Sequence, residues 1–128
     1  MAIDEWLKAL QAWPSPYLVR GQLSPAAERG KALFNDASTG CAECHPPPLY
    51  TTRTSYPVGT LAAADRAGDQ LDTPTLLEIW RTAPYLHDGS AATLNEVLVG
   101  RNRSDQHGHT SQLTPAQIQD LVEFLRSL

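Results

Sequence analysis

The sequence has few or none of three features: long apolar runs, clusters of basic residues, and thiols. What it lacks limits the kinds of protein that this chain can be. No apolar stretch approaches the ~20 residues that a membrane-spanning helix requires. The 10 basic residues are outnumbered by 14 acidic ones, which gives a formal net charge of −4, and they form no run that could follow a phosphate backbone. We therefore expect neither a membrane span nor a nucleic-acid partner.

The chain has only two cysteines, and both lie in one pentapeptide that ends in histidine, Cys41-Ala42-Glu43-Cys44-His45. This spacing is the attachment motif of haem c. Each thiol can add across a haem vinyl group to form a thioether, and the adjacent imidazole of His45 can become the proximal iron ligand. The alternatives are half a zinc site or a redox dithiol. Further ligands at zinc spacing and the βαβ pattern of a thioredoxin-like site are both lacking.

The pentapeptide therefore predicts one covalently bound haem c, with its iron. The 128 residues suit a single compact domain, which buries about two-thirds of the surface of its unfolded chain. A hydrophobic content of 41% is lean for a core of side chains alone, so we expect the haem to supply part of the core. Three prolines, Pro46–Pro48, follow the motif and predict an extended exit from the site.

Two helices are predicted by their capping residues. Ser24 precedes Pro25, and this pair predicts a helix that runs to about Phe34. Near the carboxyl end, Thr114 and Gln117 form a capping box ahead of an amphipathic helix. The small residues of the first helix predict a close crossing of these two helices.

Weaker patterns predict the remaining elements. Apolar residues at helical spacing indicate a helix over residues 2–13. Two further short helices are predicted, over residues 73–84 and residues 93–100, with an irregular loop over residues 49–72. No internal repeat is evident.

The arrangement of Gly30–Phe34, the pentapeptide and a terminal amphipathic helix resembles the cytochrome c fold. Residues 73–76 and 83–94 further resemble the carboxy-terminal haem domain of the bacterial di-haem cytochrome c peroxidase and MauG group. The resemblance implies an all-α, cytochrome c-like domain in which the N- and C-terminal helices cross, with short helices and long loops around one covalent haem. We predict a helical extension over residues 1–20 and the cytochrome c domain over residues 21–128.

Two features depart from the pattern of that group. Its members carry two haem motifs, whereas this chain has one. Leu77 stands where the group commonly places an arginine. These departures favour an electron carrier over a peroxidase.

The usual methionine is close to excluded as the distal iron ligand, because the only methionine is Met1, at the terminus. Residues 99–103, where the resembling domains place a distal methionine or tyrosine, hold no good ligand. Among the remaining histidines we favour His107, because it lies in a loop beside Gly108, and a glycine lets the backbone approach the porphyrin closely. The alternative is that His107 and His109 are ordinary solvated loop residues.

Other side chains are candidates for the haem edge. We expect His87 to hydrogen-bond a haem propionate or the backbone rather than to bind iron. Flat or basic side chains that could hold propionates or pack on the ring are Tyr50, Arg53, Tyr56, Trp80, Arg81 and Tyr85.

These features favour a mono-haem cytochrome that transfers single electrons between extracytoplasmic, for example periplasmic, redox partners, with bis-histidine ligation by His45 and His107. A basic docking patch on a partner would complement the charge of −4. The start of the chain lacks the pattern of a signal peptide, so we expect an exported protein in mature or excised form. The alternatives are a peroxidase-like or gas-sensing domain with an open distal site, and an electron-relay module of a larger haem enzyme.

Overall fold

The computed structural model describes residues 2–128, and helices form most of its regular structure. The α-helices are α1 (Ala2–Lys8), α2 (Pro25–Phe34), α3 (Cys41–Cys44) and α4 (Pro115–Arg126). Ile79–Arg81 forms a 3₁₀ helix, and Glu96–Gly100 forms a π-helix. Two short strands, β1 (Ser55–Tyr56) and β2 (Leu71–Asp72), pair in antiparallel register, with Ser55 opposite Asp72 and Tyr56 opposite Leu71. This is the all-α, cytochrome c-like architecture predicted from the sequence.

Helices α2 and α4 begin where their caps predict. The Ser24 hydroxyl accepts a hydrogen bond from the Ala27 amide at 3.1 Å. At α4 the capping box is complete: the Thr114 hydroxyl accepts from the Gln117 amide at 3.3 Å, and the Gln117 side chain accepts from the Thr114 amide at 2.9 Å. Each cap satisfies amides that a helix leaves without internal partners.

The crossing of α2 and α4 forms the centre of the core. Phe34 and Phe124 stack at a tilted angle, with ring centres 5.2 Å apart, and Leu121 is fully buried beside them. Arg29 on α2 makes a bidentate ion pair with Asp120 on α4, with both N–O distances 2.7 Å. The predicted close crossing of the two helices is confirmed.

Three predicted elements differ in the structure. Helix α1 ends at Lys8, earlier than the predicted residue 13. Residues 73–84 form turns and one 3₁₀ helix rather than a continuous helix, because Thr73 and Thr75 bond to backbone carbonyls of the preceding loop. The segment after Thr93 is helical and ends at Gly100 as predicted, but Glu96–Gly100 forms a π-helix, with a bond from the Arg101 amide to the Glu96 carbonyl at 2.8 Å.

Two further observations concern the outside of the molecule. No helix within residues 2–128 has both the length and the apolar character needed to cross a bilayer. Helix α1 contains no buried residue, and its apolar side chains lie outside the core.

Candidate haem site

A cavity of about 580 Å³ lies between α3 and the loop that carries His107. Cys41, Cys44 and His45 line one part of its wall, and His107 and Gly108 line another. Much of the remaining wall is apolar, with contributions from Phe34, Leu76, Ile79, Leu94, Leu98 and Leu121. An apolar cavity with a few convergent polar groups is typical of a cofactor site.

Helix α3 sets the spacing of the attachment residues. It is a single turn with one cysteine at each end, so both thiols reach the same cavity. Burial raises the pKa of the Cys41 thiol; burial and the charge of Glu43 raise the pKa of Cys44. Both shifts favour the protonated thiol over the thiolate.

The backbone around His45 determines which ring nitrogen can bind a metal. Its Nδ1 lies 2.9 Å from the carbonyl oxygen of Tyr50, so Nδ1 carries the proton and donates it. This leaves the Nε2 lone pair for the iron, an arrangement common among metal-binding histidines. Burial lowers the pKa of His45, although the Tyr50 and Pro74 carbonyls act in the opposite direction.

The chain turns directly after the motif, so the extended exit predicted from the three prolines is wrong. Residues 47–50 form a turn, and the Thr52 amide donates to the Cys44 carbonyl at 3.0 Å. This bond and the bond between His45 and Tyr50 bring the chain back to α3. The turn thereby supplies the carbonyl that orients the imidazole.

His107 faces His45 across the cavity. The two ring centres are 6.4 Å apart, with 41° between the ring planes. A bond from an imidazole nitrogen to a metal is about 2 Å long and the ring centre lies about 1.1 Å behind the nitrogen, so two imidazoles on opposite sides of one metal have centres about 6 Å apart. The observed separation matches this spacing. Burial and the nearby His45 both lower the pKa of His107, which keeps it neutral and able to bind a metal.

Asn102 holds the loop that carries His107. This asparagine is buried, and its side-chain oxygen accepts a hydrogen bond from the His107 amide at 2.9 Å. Its side-chain nitrogen donates to the Gly108 carbonyl at 2.7 Å and to the Thr110 hydroxyl at 2.9 Å. One side chain thus spans the loop, and sequence reasoning missed it because an asparagine in a polar loop gives no signal of its contacts.

Gly108 allows the same loop to approach α3. Its φ of +78° lies in the left-handed region, which favours glycine. A Cβ atom here would stand 3.1 Å from the Thr39 carbonyl oxygen and 3.7 Å from the Cys41 sulfur. The glycine therefore brings His107 close to the attachment cysteines.

Comparisons with known proteins show which proteins this chain resembles. The profile of the RoxA-like, cytochrome c-like family matches residues 72–107. The γ subunit of hydrazine synthase from Kuenenia stuttgartiensis is 30% identical, over 96% of this chain and 47% of that protein. The methylamine utilization protein MauG of Methylophilus methylotrophus is 26% identical, over 83% of this chain and 37% of the relative.

A solved structure of K. stuttgartiensis hydrazine synthase, pressurized with xenon, superposes with a TM-score of 0.83 at 30% identity. The match covers 96% of this chain and 52% of that chain. This chain is a cytochrome c-like domain related to the di-haem cytochrome c peroxidase and MauG group. Such domains bind haem c covalently. The cytochrome c-like domain spans about half or less of the length of these relatives.

The residues predicted for the haem edge divide into two groups. Tyr85 and His87 line the cavity of the cytochrome c-like domain, and so does Tyr56. The Tyr85 hydroxyl donates to the Ile79 carbonyl at 3.1 Å, and His87 Nε2 lies 2.7 Å from the Asp65 carboxylate. The partner of His87 among the described residues is therefore a carboxylate.

The second group is not part of the cavity wall. Tyr50 packs edge-on against Phe34, with ring centres 5.8 Å apart, and Arg53 is exposed. Trp80 lies under Arg81, whose guanidinium is 5.9 Å from the ring centre. His109 is exposed, and its amide bonds to the Thr39 carbonyl.

Three features indicate that the residues present fit a haem. Cys41, Cys44 and His45 line one largely apolar cavity, and the Nδ1 contact with Tyr50 leaves the Nε2 of His45 for the iron. His107 stands at metal-ligand spacing from His45. The Thr60 hydroxyl, which also lines the cavity, is buried without a hydrogen-bond partner among residues 2–128, and it could donate to a haem propionate.

Proposed function

We propose that this domain is a mono-haem c-type cytochrome that carries single electrons between extracytoplasmic redox partners, with His45 and His107 as axial ligands. The observation that carries the proposal is the placement of the two imidazoles across one apolar cavity, with ring centres 6.4 Å apart. When bound, haem c supplies an iron that changes between the ferric and ferrous states by one electron.

The protein's contribution is to hold the cofactor in one geometry. Cys41 and Cys44 would fix it through two thioethers from one helical turn, and the Tyr50 carbonyl keeps His45 in the tautomer that presents Nε2. Asn102 holds the backbone of His107 on the opposite side. If both His45 and His107 bound the iron, no position would be left for peroxide, which favours electron transfer over peroxide chemistry.

The type of distal ligand raises or lowers the redox potential of the haem iron. A methionine ligand raises the potential of a cytochrome c, and a second imidazole does not. The one methionine, Met1, lies outside the described residues, and the cavity wall contains none. We therefore expect a potential below that of cytochromes with histidine and methionine ligands.

The net charge of the protein supports a basic redox partner, and the chemistry of haem c supports a location outside the cytoplasm. The formal charge of −4, before any haem propionates are counted, would favour a redox partner with a basic docking patch. Haem c is attached outside the cytoplasm, so we place the protein in the periplasm or an equivalent compartment.

The test is a redox titration of the haem-bound protein, followed by visible spectroscopy, together with an assay of peroxide turnover. We expect one one-electron transition at low potential and no peroxide turnover above that of free haem. A high potential accompanied by a sulfur-to-iron charge-transfer band would contradict the bis-histidine assignment. Rapid peroxide turnover would instead support a peroxidase-like domain with an open distal site.

A further inference from the structure

A second cavity, of about 610 Å³, lies beside the haem cavity and has a largely polar wall. Its wall is formed by residues 59–63, by the turn at residues 88–90 and by residues 100–104. The charged side chains of this wall are Arg101, Arg103 and Asp88. The electron transfer proposed above makes no use of any of the three.

Backbone carbonyls hold both guanidinium groups in place. Arg101 donates from Nε and Nη2 to the Ser90 carbonyl, at 3.1 and 2.8 Å. Arg103 donates from Nε to the Gly100 carbonyl at 3.2 Å. A guanidinium has five N–H donors, so each arginine keeps several that have no acceptor within residues 2–128. The two groups are thus positioned by the fold and still able to bind a ligand.

The positive charge of the two arginines is not neutralised by the protein. Within the described part of the chain, neither Arg101 nor Arg103 forms an ion pair with a carboxylate, unlike three other arginines. The Asp88 carboxylate in the same wall accepts a hydrogen bond from the Ser90 amide at 3.0 Å. Two positive charges therefore face one negative charge in this cavity, although the whole chain has a formal charge of −4.

We propose that this cavity binds a small anion that carries a carboxylate or a phosphate group, held by Arg101 and Arg103. The planar guanidinium group can donate to two oxygens of either anion at once. Ser104 adds a hydroxyl to the same wall. The volume of about 610 Å³ also leaves room for an organic molecule around the charged group, since ligand cavities commonly measure about 300–1,000 Å³.

The position of the cavity couples the anion to the haem. Thr60 lines both cavities, and His87 of the haem cavity directly precedes Asp88 of the second one. A negative charge beside the haem stabilises the ferric iron relative to the ferrous iron, so the bound anion should lower the redox potential. By linkage, the ferrous protein should bind the anion more weakly by the matching factor. Anion binding does not depend on the proposed electron transfer, and the coupling requires only a haem iron that can be reduced.

The first test is calorimetric titration of the ferric, haem-bound chain with inorganic phosphate and, separately, with succinate, both at constant ionic strength. We expect a Kd of about 1 mM or lower for at least one of the two. Binding of phosphate alone would identify a phosphate ligand, and binding of succinate alone a carboxylate ligand. Binding of both would support the shared chemistry. A Kd above about 1 mM for both anions would overturn the proposal.

Charge variants test the assigned residues. Arg101→Gln and Arg103→Gln should each weaken binding about fivefold or more. The matched control is Arg20→Gln, an exposed arginine outside the cavity wall, which should leave binding unchanged. Asp88→Asn should tighten binding about threefold, because it removes the negative charge while the amide oxygen can still accept from Ser90. A damaged fold would not tighten binding, and the visible spectrum of the haem checks folding in each variant.

Two outcomes of this series would contradict the site. Equal weakening in Arg20→Gln and Arg101→Gln would show that the anion responds to net charge alone. Weaker binding in Asp88→Asn would show that the anion does not lie beside this carboxylate.

Redox titrations with and without saturating anion test the coupling. We expect about threefold weaker binding to the ferrous protein, which lowers the potential by about 28 mV at 59 mV per tenfold change for one electron. The shift should disappear in Arg101→Gln and persist in Arg20→Gln. Binding without any change in potential would overturn the coupling to the haem, and a shift that Arg101→Gln retains would place the anion elsewhere.

Discussion

At Gly30, α2 lies directly against the backbone of α4, and this contact gives the sharpest prediction about stability. A Cβ atom at this position would lie 1.9 Å from the Asp120 carbonyl oxygen and 2.8 Å from Cβ of Phe124. The first of these atoms belongs to the backbone of α4 and cannot rotate away. In Gly30→Ala the two helices must therefore move apart.

Two opposing effects set the size of the change. Overpacking of a core costs about 1–3 kcal/mol, and a backbone clash this short belongs at the upper end of that range. Replacing glycine by alanine inside a helix returns about 1 kcal/mol through helix propensity. The net loss is about 2 kcal/mol, which lowers the unfolding temperature of a domain of this size by about 8 °C.

The assay is thermal unfolding of the haem-bound protein, followed by circular dichroism. The matched control is Gly100→Ala, where the nearest atom to the new Cβ is 3.9 Å away. We expect Gly30→Ala to unfold several degrees below the wild type and Gly100→Ala to stay close to it. An unchanged or raised unfolding temperature for Gly30→Ala would refute the close crossing.

Two further predictions follow from the loop of His107 and from the ion pair between the helices. Asn102→Ala removes buried hydrogen bonds, so we expect a loss of about 1–3 kcal/mol in the free energy of unfolding. We also expect a larger high-spin fraction in the visible spectrum. A native spectrum would show that Asn102 does not position His107. A hydrogen bond from Arg29, and then the charge of Arg29, lower the pKa of Asp120 below its ordinary value of 3.8. The Asp120 carboxylate therefore stabilises the fold fully above pH 3.8, and this contribution is lost as the pH falls through the lowered pKa. Asp120→Asn should therefore lower the unfolding temperature slightly at pH 7 but not at about pH 2; an equal loss at both would show that charge is not the cause.

The parts of the fold that could be predicted from the sequence are those decided by neighbouring residues. Ser24 and Thr114 cap helices whose first residue is a proline, and both helices begin there in the structure. The prediction of a continuous helix over residues 73–84 was wrong, because distant residues decide the structure of this segment. The Thr75 hydroxyl donates to the carbonyl of Leu49, 26 positions away, and no local pattern shows such a bond.

The same division holds within the candidate site. The attachment motif is local, so its residues could be named from the sequence alone. The position of His107 depends on the buried side chain of Asn102 and on the approach of Gly108 to Cys41, which only the folded chain brings together. The bond from His87 to Asp65 likewise joins residues 22 positions apart.

The central claim is that His45 and His107 are the two axial ligands of one haem iron. Resonance Raman spectroscopy of the ferric protein tests it most directly, with His107→Ala beside His109→Ala as the matched control. We predict a six-coordinate, low-spin iron in the wild type and in His109→Ala, and a high-spin iron in His107→Ala alone. A five-coordinate, high-spin wild type, or a low-spin signature that survives in His107→Ala, would contradict the account.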